Sequence, residues 1–214
     1  MTSGNTDFIH RYLPSEGDAS AITVLVLHGT GGDENDLLPL AKELLPGAGV
    51  LSPRGKVTEN GAARFFRRLA EGVFDLEDLA VRTDELTAFL DEASTKYGFD
   101  RGKVCALGFS NGANIAASML LRRGAQLTGA ILLSPMLPFE PEVFPDLSKV
   151  SVFVGAGLAD TMIPADRAHA LVHVLRQAGA NVTDYWHPGG HTITHEELRS
   201  VRAWLRMREF AAAP

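Results

Sequence analysis

Apolar positions along this chain come either as short unbroken runs or as longer stretches in which they recur every three or four residues. The runs AITVLVLH (Ala21–His28), KVCALGF (Lys103–Phe109), LTGAILLS (Leu127–Ser134) and VSVFVGAG (Val150–Gly157) read as strands covered on both faces, because a strand with one wet face would alternate. GVLSP, ended by Pro53, and NVTDYWH at 181–187 are further strands. From Asp75 to Tyr97, the spacing of Leu76, Leu79, Leu86, Leu90, Ala93 and Tyr97 predicts a long amphipathic helix. ENDLLPLAKELL, SNGANIAASMLLRRG, PADRAHALVHVLRQAG and ITHEELRSVRAWLRMREF read as four more helices. In the third of these, Pro164 suits the first turn and Gly179 the position just past the end.

Strand and helix alternate, which calls for a mostly parallel sheet with helices on both faces, preceded by an antiparallel edge from DFIHRYLP. The fold class is α/β, doubly wound. At 214 residues and 45% hydrophobic content, without repeats or low-complexity linkers, residues 1–214 are expected to form a single domain.

Charge narrows the function classes. Lys plus Arg number 20 against 26 for Asp plus Glu, a net charge of −6 that gives no broad footing for nucleic acid or anionic lipid. The arginines of RFFRRL and LRMRE form short local clusters and read as solvated faces. The N-terminus lacks the basic start and apolar run of a signal peptide, and no segment reaches bilayer-spanning length, so a soluble cytoplasmic protein is expected. Cys105 is the single cysteine, which rules out an internal disulfide, and its strand setting places it in the core.

The chemistry centres on Ser110, held between Gly108 and Gly112 in the pattern G-x-S-x-G where KVCALGF ends and the next helix begins. Such an abrupt strand-to-helix turn forces a strained serine conformation and leaves no room for side chains at the two glycines. It also exposes the hydroxyl at the carboxyl end of the sheet, beside a helix N-terminus. Serine is a favoured N-cap as well, so a nucleophile needs partners: a base in reach and a carboxylate to orient it. In this setting the chain order is serine, acid, histidine. Asp160, in the loop LADTMIP after a strand, is the candidate acid, with Glu140 as the alternative. His191, in the glycine-flanked loop PGGHTIT after the final strand, is the candidate base. His169 and His173 fall inside a helix, His10 precedes the main strands and His28 ends one, while His195 is one turn into the last helix.

The spacing of His187, His191 and His195 also invites a metal, but Pro188, Gly189 and Gly190 break the helical register between the first two, and no metal or cofactor is expected. Acyl transfer further needs backbone donors for a developing oxyanion. The N–H of Asn111, directly after the serine, supplies one, and Thr30 in the glycine-rich turn LHGTGGDEND the other. That turn lacks the lysine of a phosphate-binding loop.

Through LHGTGGDENDLLPLA, LSPRG, RFFRR, GVFDLEDL, LGFSNGANIAASMLL, LSPM, GLADTMIP and GGHTIT, in that order, the sequence resembles the small carboxylesterases and phospholipase-like hydrolases of the α/β-hydrolase superfamily, related to acyl-protein thioesterases. It is most similar to the bacterial branch found with hydroquinone-metabolising genes. Thr161 stands where the family's acid loop carries a second aspartate. The resemblance implies an α/β-hydrolase fold, a triad of Ser110, Asp160 and His191, and an oxyanion hole of Thr30 and Asn111.

The expected activity is hydrolysis of short-chain or aryl carboxylic esters through an acyl-enzyme. The alternatives are a non-catalytic binding protein and a thioesterase, lysophospholipase or C–C bond hydrolase using the same triad. The fifteen residues PMLPFEPEVFPDLSK (135–149) are too few for a cap domain and suit a short flap over an open mouth. Phe66 and Met136 are candidates to line an apolar acyl pocket. The expected partner is a small-molecule ester; the sequence leaves a homodimer open.

Overall fold

A computed structural model describes residues 7–17 and 22–208 of the chain. In chain order the elements are β1 (His10–Leu13), β2 (Thr23–Leu27), α1 (Leu38–Leu44), β3 (Gly49–Pro53), β4 (Val57–Glu59), β5 (Ala62–Arg64), β6 (Arg68–Ala70), β7 (Val73–Phe74), α2 (Leu76–Tyr97), β8 (Val104–Phe109), α3 (Asn111–Arg123), β9 (Gly129–Leu133), β10 (Ser151–Gly157), α4 (Ala165–Gln177), β11 (Asn181–His187) and α5 (His195–Met207). The apolar runs become a seven-stranded sheet in the order β1-β3-β2-β8-β9-β10-β11. Its pairs are parallel except for β1, which runs antiparallel to β3 with His10 opposite Pro53 and so forms the expected edge.

Successive side chains of a strand point to opposite faces, and here both faces are covered. Leu25 and Leu27 of β2, Ala106 of β8, Leu132 of β9 and Val152 and Val154 of β10 enter one core with residues of α2, α3 and α4. Val24, Val26, Leu107, Ile131 and Phe153 enter the other with Ala41 and Leu44 of α1 and Val201, Trp204 and Leu205 of α5. Each large apolar side chain so buried contributes roughly 1.5–3 kcal/mol. Helix α3 lies over the middle of the sheet, buried from Asn111 to Leu121, and its small residues Gly112, Ala113, Ala116, Ala117 and Ser118 let it come close. Cys105 is fully buried in β8, and burial pushes its thiol up to about 12.

From β2 the chain first builds outward to β3, then crosses through α2 to β8 on the other side of β2. The strand order therefore reverses between β2 and β8, and the crevice outside the carboxyl ends of two such strands is where open α/β sheets bind ligands. Residues 28–32 and Ser110 follow β2 and β8 directly.

Several boundaries differ from the sequence reading. Helix α1 begins at Leu38, four residues later than the apolar pattern suggests, because Pro39 is tolerated only in the first turn. Pro164 is the N-cap of α4 with extended ψ, one step before the first turn. His195 opens α5, with Thr194 as its cap: the Thr194 hydroxyl accepts from Glu197 N while Glu197 reaches back to Thr194 N, a capping box. Two small antiparallel hairpins, β4-β5 and β6-β7, carry residues 57–74 across the sheet's carboxyl edge; neither is foreseen from the sequence. Between β9 and β10, residues 134–150 contain no helix or strand, so no cap domain stands over the crevice. Ala21, Glu209 and Phe210, assigned above to a strand and a helix, lie outside the described residues. Among the described residues no helix is long and apolar enough to cross a membrane.

Candidate active site

Ser110 sits at φ 52°, ψ −114°, a left-handed conformation that costs a non-glycine residue on the order of 1–3 kcal/mol. Three backbone facts hold it there. Its N–H donates to Leu133 O of the next strand at 2.9 Å, and its own carbonyl accepts the first bond of α3 from Asn114 N at 2.9 Å. A Cβ on Gly108 would come within 2.6 Å of the Gly112 carbonyl, and one on Gly112 would collide with the Leu27 and His28 carbonyls of the neighbouring strand end. Only hydrogen fits at either position, so the turn can close against β2 and lift the serine side chain clear.

From the opposite side, residues 188–194 bring His191 over the sheet edge. His191 Nε2 lies 2.9 Å from Ser110 Oγ and His191 Nδ1 lies 2.7 Å from Asp160 Oδ2. The second carboxylate oxygen, Asp160 Oδ1, accepts from Met162 N and Ile163 N, both at 2.9 Å, so the carboxylate is oriented by its own loop and is 8% exposed. A carboxylate oxygen can only accept, which puts the proton of neutral His191 on Nδ1 and leaves the Nε2 lone pair facing the serine hydroxyl. Such a chain can draw the proton from Ser110 as its oxygen attacks. Glu140 stands apart, beside Leu76, Arg123 and Val143, away from His191.

Beside Ser110, the turn after β2 is pinned from several directions. The buried His28 ring donates from Nδ1 to Gly29 O (2.7 Å) and accepts from Gly55 N (3.0 Å) at Nε2; burial lowers its pKa and favours this neutral form. Gly31 N donates to Ala63 O at 2.9 Å, and Arg64 Nη1 donates to Thr30 Oγ1 at 2.7 Å. Asn111 opens α3, where a backbone N–H has no partner within the helix, and its side-chain oxygen accepts from Phe65 N at 2.7 Å. Thr30, Ser110, Asn111 and His191 all line one open cleft with about 440 Å³ of empty space, part of it continuous with solvent.

Of the two candidates for an apolar acyl pocket, Met136 lines that cleft and Phe66 does not. Phe66 is fully buried, and its ring packs edge-on at 4.9 Å from Phe74, the aromatic residue that does face the cleft. RFFRRL is also not a uniformly solvated face. Arg64 is 3% exposed and Arg68 half-buried, both on the cleft wall, whereas Arg67 points out to solvent and pairs with Asp75 and Asp78. The sequence reading also missed Asn114, Met162 and Ile163 as lining residues. Asn114 stands one turn after Ser110, and the other two follow Asp160 within the acid loop, so their positions relative to the motifs carried the signal.

Among the described residues, no group of three His, Cys, Asp or Glu side chains is arranged to hold a metal ion. His187 is buried at the end of β11 and His195 opens α5, so the three histidines point to different surroundings.

The sequence profile described as Phospholipase/Carboxylesterase matches residues 74–208. The chain belongs to this family. It is 47% identical to the putative hydrolase MhqD of Bacillus subtilis over 191 residues, 89% of this chain and 96% of that protein. The crystal structure of a Bacillus cereus carboxylesterase superposes with a TM-score of 0.91 at 45% identity, covering 95% of each chain. A Mesorhizobium loti carboxylesterase does so with a TM-score of 0.86 at 32% identity, over 93% of this chain and 94% of that one. As a member of the phospholipase/carboxylesterase family the protein is a hydrolase with the α/β-hydrolase fold.

Proposed function

We propose that the protein is a serine carboxylesterase that hydrolyses short-chain or aryl esters through an acyl-enzyme on Ser110. The observation that carries this reading is the unbroken hydrogen-bonded chain from Ser110 Oγ through both nitrogens of His191 to Asp160. In the first step the Ser110 oxygen attacks the ester carbonyl carbon while His191 Nε2 takes the hydroxyl proton, and Asp160 stabilises the resulting imidazolium. The carbonyl oxygen becomes an oxyanion that the N–H groups of Asn111 and Thr30 stabilise. Each such donor contributes on the order of 3–4 kcal/mol to the transition state. His191 then returns the proton to the departing alcohol or phenol, and the acyl group stays on Ser110. In the second step His191 takes a proton from water as the water oxygen attacks the acyl carbon, the acyl–serine bond breaks while His191 returns that proton to Ser110 Oγ, and the free acid leaves. Protein groups and water supply every proton and nucleophile in this sequence.

The open cleft supports small substrates over long lipids. Phe74, Met136, Met162 and Ile163 give it a short apolar surface, and the 135–149 connection adds no helix to extend that surface into a tunnel. The test is turnover of a series of p-nitrophenyl acyl esters of rising chain length, with Ser110→Ala as the control. Wild-type protein should prefer the short chains and label with a fluorophosphonate. Ser110→Ala should lose both behaviours while keeping its circular dichroism and melting temperature. Turnover by the Ser110→Ala variant would end the proposal.

A further inference from the structure

We propose that the ester this site takes carries a carboxylate, which is held by the guanidinium groups of Arg64 and Arg68 on one wall of the cleft. The proposal rests on the esterase reading above and adds a charge requirement to it. Arg64 and Arg68 line the same cleft as Ser110 and His191. Among the described residues they share a single counter-ion: Glu59 lies 3.2 Å from Arg64 Nε and 2.8 Å from Arg68 Nε. Two positive groups against one carboxylate leave one charge uncompensated. Glu71, the other acidic residue on the wall, is solvent-exposed, where water screens it.

Arg67, between the two in sequence, gives the contrast. It points outward and is matched by two carboxylates, Asp75 at 3.0 Å and Asp78 at 3.6 Å. The cationic imbalance is therefore confined to the cleft side of the segment.

Arg64 is an unusual residue to bury without a matched partner, because burying a guanidinium costs several kcal/mol unless charge and hydrogen bonds compensate. Its side chain is 4% exposed, and burial together with the neighbouring Arg68 pushes its pKa down. The bonds it does make are to neutral acceptors, Thr30 Oγ1 at 2.7 Å and Phe66 O at 3.2 Å, besides the shared Glu59. These bonds hold it rigidly beside the turn that presents Thr30. The same wall carries Asn111, whose amide nitrogen is buried with no acceptor among the described residues. A wall rich in fixed donors and short of acceptors suits an anion, and the planar guanidinium fork matches a carboxylate in particular. The apolar lining residues Met136, Met162 and Ile163 would face the uncharged remainder of the substrate.

The experiment compares esters that carry a free carboxylate with their methyl esters, in which that charge is removed. One pair places the carboxylate on the acyl side: 4-nitrophenyl hydrogen adipate against methyl 4-nitrophenyl adipate. The other places it on the alcohol side: 4-acetoxybenzoate against its methyl ester. In at least one pair, wild-type kcat/KM should favour the charged ester about tenfold or more, and the preference should shrink as salt rises to 1 M. Arg68→Met should lower that charged-to-neutral ratio about tenfold, since Glu59 then cancels Arg64, and Arg68→Lys should restore most of it. Glu59→Gln should raise the ratio, and Arg67→Met should leave it unchanged. Equal or better turnover of the neutral ester in both pairs overturns the proposal, as does a ratio that Arg68→Met fails to move. If the neutral esters are cleaved and Ser110→Ala abolishes that cleavage, the esterase reading survives such a failure. If no ester is cleaved by folded protein, both readings fall.

Discussion

The turn that carries Ser110 and the loop that carries His191 meet at a 2.9 Å hydrogen bond, yet they are built on different physics. Around Ser110 the structure is fixed by backbone: two glycines whose missing side chains let α3 close on β2, and main-chain bonds to Leu133 and Asn114. No titratable side chain takes part in that support. The 188–194 loop has main-chain bonds too, from Ala159 N to Gly189 O and from Thr192 N to Gly190 O, but both its ends also rest on titratable side chains. Its near end leaves the buried His187, and its far end enters α5 through the Thr194–Glu197 capping box, with His187 Nε2 and Glu197 Oε2 3.8 Å apart beneath it. That separation is too long for a hydrogen bond, and neither nitrogen of His187 has a hydrogen-bond partner among the described residues. The lesson is that a nucleophile can be placed by exclusion of volume, which is indifferent to pH. The histidine loop rests in addition on polar anchors, which are not.

The largest effect should come from unbalancing the histidine side alone. In Asp160→Asn the carbonyl oxygen can still accept from Met162 N and Ile163 N, so the loop keeps its shape. The amide nitrogen then faces His191 Nδ1 as a donor. His191 must accept there, which moves its proton to Nε2 and leaves nothing to receive the serine proton. We expect kcat to fall by about 10⁴-fold with little change in melting temperature. A loss of tenfold or less, measured on a well-hydrolysed p-nitrophenyl ester, would show that Asp160 does not set the tautomer.

The matching break on the serine side acts on folding. Gly112→Ala drives a methyl group into the Leu27 and His28 carbonyls, which belong to the central sheet and cannot swing away. Destabilisation should exceed the ~1–3 kcal/mol usual for an overpacked core. Thermal or urea denaturation measures it. A variant within about 1 kcal/mol of wild type would mean that the close approach of α3 to β2 is not required.

Much of this contrast was legible in the sequence because the serine turn is encoded locally. Strand, G-x-S-x-G and a small-residue helix occupy adjacent positions, and each glycine is needed for a contact within a few residues or with the next strand. Asp160 and His191 were found by a different route, as polar residues in loops at the correct edge of a parallel sheet. The hairpins over 57–74 were not legible: strands of two or three residues are too short to show a period of two, and their partners are each other. Arg64 was misplaced for a related reason. Arginine is ordinarily a surface residue, and its burial depends on Glu59 and Thr30, which only the hairpin path brings within reach. Phe66 and Phe74 differ little as sequence, and the same hairpins decide which of them faces the cleft.

A smaller but more discriminating effect concerns the anchors of the histidine loop. Glu197 is fully buried, with Oε1 lacking a partner and Oε2 3.2 Å from Thr194 N, and burial raises its pKa from 4.5 to about 7. Below about pH 4.5 the carboxyl is protonated in folded and unfolded chains alike and exacts no pH-dependent penalty. Between there and pH 7 the unfolded chain ionises while the folded one resists, so stability falls as pH rises and the deficit is complete only above pH 7. Glu197→Gln keeps the acceptor for Thr194 N and removes the ionisation. The variant should therefore match wild type near pH 4.5 and gain on it steadily up to pH 8, by no more than about 3 kcal/mol. Melting temperatures of the two proteins across that range measure the difference. The serine turn supplies no such slope, so a pH-independent gap between the variants would mean that Glu197 is held by packing, as the serine is, and the contrast between the two sides would close.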